Sequence, residues 1–222
     1  MAFIIGTIFL GKVHEVKDQW IETKFIIIGV PLMPVASMLV TSSAFRGRKG
    51  FSVPLHQTSI IAGYARVYAA ILAVVFLFLG TRSGGALLTG ILFLAVWIYF
   101  FFVFGQEKNE GVESRNKIGN ITGLFAPPEW LDSYDAYAIY EKIEKKYTLL
   151  FMGSDWLNDL QQGEIPREKI PLLYALSRYN YALGPTDENR ELFEKADGLY
   201  IEADHVNPKR RETNGVRSQT ED

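Results

Sequence analysis

Apolar and polar positions change rhythm twice along this chain. Through the first sixty residues, short apolar runs alternate with polar breaks: Met1-Ala-Phe-Ile-Ile-Gly-Thr-Ile-Phe-Leu10, then Trp20-Ile-Glu-Thr-Lys-Phe-Ile-Ile-Ile28, then 35–41 and 51–55. β-branched and aromatic residues dominate these runs, and turn formers separate them, which predicts strands. Asp18-Gln19 and Arg46-Gly-Arg-Lys-Gly50 supply turns. The expected product is a small antiparallel β-meander over 1–59. The stretch Gly29-Val-Pro-Leu-Met-Pro34 interrupts the pattern, because two prolines end any helix and demote any central strand. It is either an apolar turn that dips into a membrane interface or a segment packed under the strands.

The rhythm then stops altogether. Residues 60–80 carry one charge, Arg66, and residues 83–105 carry none. At about 1.5 Å per residue the first run is roughly 30 Å long, the thickness of a bilayer's hydrocarbon core. Backbone groups in lipid must be satisfied within their own segment, so both runs, 60–80 and 84–105, are expected to be transmembrane helices. Only Thr81-Arg82-Ser83 separates them, which makes a hairpin with both flanks on one side. Arg46, Arg48 and Lys49 precede it and Lys108, Arg115 and Lys117 follow it, so the positive-inside rule places both termini in the cytoplasm.

Within the hairpin, Ala65, Ala69 and Ala73 form one small-residue stripe and Ala86 with Gly90 a shorter one. Such residues allow helix backbones to approach closely. Packing inside the hairpin is the expectation, and a homo-oligomeric interface is the alternative. Arg66 lies two turns from the cytoplasmic end, where its stem can carry the guanidinium to the headgroups beside Tyr64 and Tyr68. Together with Arg46, Arg48 and Lys49 it is a candidate for headgroup contact, and membrane lipids are the expected partners.

Residues 106–128 read as a polar connector ending in the stiff pair Pro127-Pro128. Beyond it the period becomes helical. Tyr137, Tyr140, Ile143, Tyr147 and Leu150 share a face, and Gly153 breaks the helix. Ser154-Asp155 can cap a short helix through Leu160. Pro171 opens another helix that stops at Gly184-Pro185, and Thr186 caps a last one ending before Asn207. Residues 171–204 have the length of one tetratricopeptide-type helix pair, but 129–160 contain no second copy. This gives a cytoplasmic helical domain over 129–206 and a disordered tail over 207–222.

Charge sharpens the division. Net charge is +3 before residue 60, +2 over 60–105 and −7 afterwards, within a total of −2. The acidic C-terminal half argues against nucleic-acid binding. The absence of cysteine excludes thiol nucleophiles, thiolate metal sites and disulfides. His14, His56 and His205 are the only histidines, and they are expected at surfaces or interfaces rather than as ligands. No phosphate-binding glycine loop or hydrolase nucleophile elbow occurs, so no catalytic, cofactor or metal residue is assigned. The leading expectation is an integral membrane scaffold or accessory protein whose cytoplasmic helical domain binds a protein partner. A subunit of an oligomeric channel or transporter is the alternative, and an interfacial lipid-acting enzyme the third.

Overall fold

The computed structural model describes residues 5–44, 47–161 and 165–205. Arg46 and the tail read over 207–222 therefore lie outside the described residues. Four strands follow one another in space as in sequence: β1 (Ile5–Val16), β2 (Gln19–Ile28), β3 (Val30–Ala44) and β4 (Gly47–Val53), every neighbouring pair antiparallel. Short links between consecutive strands favour this order.

The β3 strand continues through Pro31 and Pro34, where the sequence predicts an interruption. Phe25 pairs with Pro34 and Ile27 with Pro31, while the register slips past Val35 and Leu32. These two bulges absorb the prolines. Because β4 pairs only with residues 37–44, this part of β3 is also an edge, where a missing N–H is tolerated.

Two apolar helices follow, α1 (Gln57–Gly80) and α2 (Gly84–Phe102), both long and apolar enough to cross a membrane. The first turns of α1 cross the sheet above Ile21, Thr23 and Phe25, which are fully buried at alternating positions. A chain of hydroxyls fixes this crossing. The His56 N–H donates to Ser37 Oγ at 3.0 Å, and Ser37 and Thr23 share a 2.8 Å bond. Thr23 donates to Ser59 Oγ at 2.9 Å, and Ser59 donates to the Gly11 carbonyl at 2.7 Å. With Ser37 donating to Thr23, the hydroxyls of Ser37, Thr23 and Ser59 each donate and accept one bond, each bond adding about 1 kcal/mol.

Further along, α1 and α2 pair closely. A Cβ built on Gly90 would stand 2.7 Å from the backbone nitrogen of Leu77, so only glycine permits this approach. Phe76 and Phe93 stack at 5.7 Å beside it. Of the small residues singled out in the sequence, Ala69, Ala73 and Gly90 are buried, and Ala65 and Ala86 are half-buried.

The segment read as a connector contains a helix, α3 (Asn109–Thr122), which buries Arg115, Ile118 and Gly119. A single 3-10 turn, Pro128–Trp130, follows. The chain divides into two compact units. The first comprises Met1–Asn120 and Leu124–Asp132, the second Ile121–Gly123 and Ser133–Asp222.

In the second unit, α4 (Ser133–Leu150), α5 (Trp156–Gln161), α6 (Ile170–Leu183) and α7 (Asp187–His205) form a small bundle. Its centre is α6, which packs against α4, α5 and α7 and buries Leu172, Leu173, Leu176 and Tyr179. The face predicted on α4 is only partly used. Ile143 and Tyr147 are buried and Tyr140 is half-buried, whereas Tyr137 and Leu150 are exposed. The Tyr147 hydroxyl donates to Asp159, which also pairs with Lys169 Nζ at 2.7 Å. Burial and the neighbouring carboxylate push the Tyr147 phenol well above its ordinary range. Burial likewise raises Tyr140 to about 12. Burial alone would raise Asp159, but the bonds from Lys169 and Tyr147 outweigh it and hold that carboxyl below its usual value.

Candidate functional site

The first unit gathers its polar chemistry around a distorted stretch of β1. Gly11 and His14 have φ of +75° and +53°, and the pairing with β2 slips between Leu10 and Val13 and again between Val13 and Val16. At Gly11 the distortion requires glycine, since a Cβ there would stand 1.9 Å from the Ser59 carbonyl oxygen. Bulges of this kind free backbone groups from the ladder and re-aim side chains. Four backbone groups of this stretch bond outside the ladder. The Gly11 carbonyl accepts from Ser59, the Lys12 carbonyl from Arg66 Nη1 at 2.8 Å, and the His14 carbonyl from Arg115 Nη1 at 2.6 Å. The His14 N–H donates to the Gly105 carbonyl at 2.6 Å.

Arg115 is the hub on one side. Only 3% exposed, it also donates through Nε to the Phe125 carbonyl at 2.7 Å and through Nη1 to Glu107 Oε2 at 3.0 Å, and its guanidinium lies 4.9 Å from the Trp130 ring centre. Burial lowers its pKa and Glu107 opposes that; an arginine remains charged regardless. The same Glu107 oxygen lies 2.9 Å from His14 Nδ1. His14, His56 and Trp130 form a three-ring cluster with centroids 5.1 to 5.9 Å apart. His56 Nδ1 and Arg115 Nη2 are buried without a hydrogen-bond partner.

Burial, then the nearby His14, lower the pKa of His56 below its ordinary 6.5, with Glu107 opposing. A depressed histidine means that the unfolded chain takes up the proton first. Stability contributed here is therefore complete above about pH 6.5 and falls as the pH drops through the unfolded value toward the folded one. A urea titration of the intact chain in lipid–detergent micelles at pH 7.5 and 5.5 should show this loss. His56→Gln should flatten that slope; an unchanged slope would remove His56 as its cause.

Arg66 is the hub on the other side. Its Nε donates to the Phe100 carbonyl at 2.8 Å, in the last turn of α2, where carbonyls lack intrahelical donors. With the bond to Lys12 it ties α1, α2 and β1 together, and Phe101 lies 5.7 Å below its guanidinium. Arg66 borders a cavity of about 850 Å³, walled by Trp97, Phe101 and Phe104 and rimmed by Lys12, Glu15 and Glu107. The cavity thus combines an apolar wall, a guanidinium and a carboxylate–imidazole pair suited to proton transfer. Among the described residues, no group of three or more His, Asp or Glu is placed to hold a metal ion.

The other basic candidates lie elsewhere. Arg48 Nη1 is 2.9 Å from Glu22 Oε2, an ion pair without hydrogen-bond alignment, and Lys49 is exposed. The sequence alone does not pair Glu107, Arg115 and Trp130 with His14 and His56; the structure brings them together. The one sequence signal was a Gln-Glu pair directly after an apolar run, and it names no partner. Comparisons with protein-family models, curated proteins and solved structures find no match.

Proposed function

We propose that this chain is an integral membrane scaffold or accessory protein. Its α1–α2 hairpin crosses the bilayer, both termini face the cytoplasm, and the helical unit α4–α7 offers a surface to a protein partner. One observation carries the reading. Val74, Phe78 and Leu88 on the hairpin are 68%, 74% and 70% exposed, while the residues between the helices are glycine, alanine and stacked phenylalanine. A core helix of a soluble protein buries its large side chains. A hairpin that turns them outward fits a lipid surround.

Leu149, Leu150 and Met152 are likewise exposed at the end of α4, which supports a partner surface there. The intact chain should stay with membranes through an alkaline carbonate wash, and release into the supernatant would sink the anchor. In mild detergent it should form a saturable complex that Leu149→Glu abolishes. A chain that stays monomeric and alone would count against the scaffold.

The cavity beside Arg66 favours a second reading, an interfacial protein acting on a lipid. The guanidinium would hold an anionic headgroup against the aromatic wall, with the His14–Glu107 pair as proton acceptor. Turnover of a defined phospholipid that His14→Gln stops would support it.

A further inference from the structure

We propose that the tip of the β2–β3 hairpin is a third membrane-embedded element, seated among the acyl chains of the leaflet nearest the sheet. The inference rests on the anchoring reading above and adds a segment to it. Two hydrogen bonds fix the tip against α1: the Tyr64 hydroxyl donates to the Leu32 carbonyl at 2.8 Å and the Tyr68 hydroxyl to the Pro31 carbonyl at 2.9 Å. Tyr68 lies about 18 Å along the helix from Gly80. Were the whole sheet outside the hydrocarbon, little more than that length of α1 would remain to cross a core of about 30 Å.

The turn at the far end decides the depth. Arg82 is exposed there, and a charge at the end of a hairpin resists stopping at mid-bilayer. With Arg82 at the far headgroups, about 30 Å measured back along α1 reaches Ile61, beyond both tyrosines. The β2–β3 tip is then below the near headgroups.

The tip's own chemistry agrees. No charged residue occurs in 1–11 or 25–45, so the end of the sheet at this tip is charge-free on β1, β2 and β3. Charges gather at the opposite end, on Lys17, Asp18, Arg48 and Lys49. Ile28, Leu32, Met33 and Val35 are exposed at the tip. A strand edge in lipid normally fails for want of hydrogen-bond partners. Here Pro31 and Pro34 have no N–H to satisfy, and the two tyrosines cover two carbonyls.

The chain has no cysteine, so single-cysteine variants report single sites. Met33→Cys and Leu32→Cys, each carrying a bimane label, would be reconstituted as full chains in phosphatidylcholine–phosphatidylglycerol vesicles. Val74→Cys serves as the lipid-facing reference and Ser43→Cys, exposed at the opposite end of β3, as the aqueous one. Brominated acyl chains should quench positions 32 and 33 about as strongly as position 74, and aqueous iodide should quench only position 43. Iodide quenching at 32 and 33 with bromine quenching at 74 would overturn the embedded tip and leave the anchor standing. Iodide quenching at 74 as well would overturn both.

Discussion

Arg115→Met should destabilise the first unit by about 3–5 kcal/mol, the range for removing one partner of a buried ion pair. The side chain is buried, and four partners depend on it: the carbonyls of His14 and Phe125, the Glu107 carboxylate and the Trp130 ring. Methionine fills the volume but donates nothing, so Glu107 would keep only His14 and two half-buried carbonyls would lose a charged donor. Arg115→Lys should recover less than half of the loss, because one ammonium cannot reproduce a planar fork reaching two directions. Amide exchange in β1 and α3 against urea, on the intact chain in lipid–detergent micelles, reads the effect locally. A loss below about 1 kcal/mol in those elements would show that the hub is not holding them.

The same residue shows where sequence reading stops. The apolar runs of α1 and α2, the strand β2, the first half of β1 and the helices of the second unit follow from periodicity and turn chemistry, because each is a local pattern. The β4 strand does not, since residues 47–50, expected as part of a turn, pair with β3 and make up most of that strand. Nor does the α3 helix. Its core-facing positions are Arg115, Ile118 and Gly119, and a pattern that counts arginine as polar and glycine as a breaker sees only a linker. Arginine belongs in that seat only because a bulge in β1, a hundred residues earlier, turns the His14 carbonyl toward it.

The path of β3 through Pro31 and Pro34 was hidden for a related reason. Proline's exclusion from strands holds for paired edges, and which edge is unpaired depends on how far β4 extends. Both candidate hubs are therefore non-local. The sequence supplied His14, His56 and Arg66 as isolated ionisable residues, while their partners on the bulged backbone of β1 carry no residue-type signal at all.

Arg66→Met should cost about 3 kcal/mol or more, from two charge-assisted hydrogen bonds of about 1.5–3 kcal/mol each less the residual packing of the methionine stem. Its pattern should be as informative as its size. Amide exchange should accelerate in the last turn of α2 and across Gly11–Val13, where the carbonyls of Phe100 and Lys12 lose their donors. The distant contact of Gly80 with Leu87 should stay protected. Arg66→Lys separates the two roles open to this side chain. A residue that only carries charge to the headgroups is replaced well by lysine, which has a comparable stem and snorkels equally. A residue that bridges Phe100 and Lys12 through Nε and Nη1 is not, because lysine presents a single donor centre. Exchange in Arg66→Lys that matches the methionine variant would assign Arg66 to the junction of hairpin and sheet; exchange that matches the native chain would assign it to the headgroups.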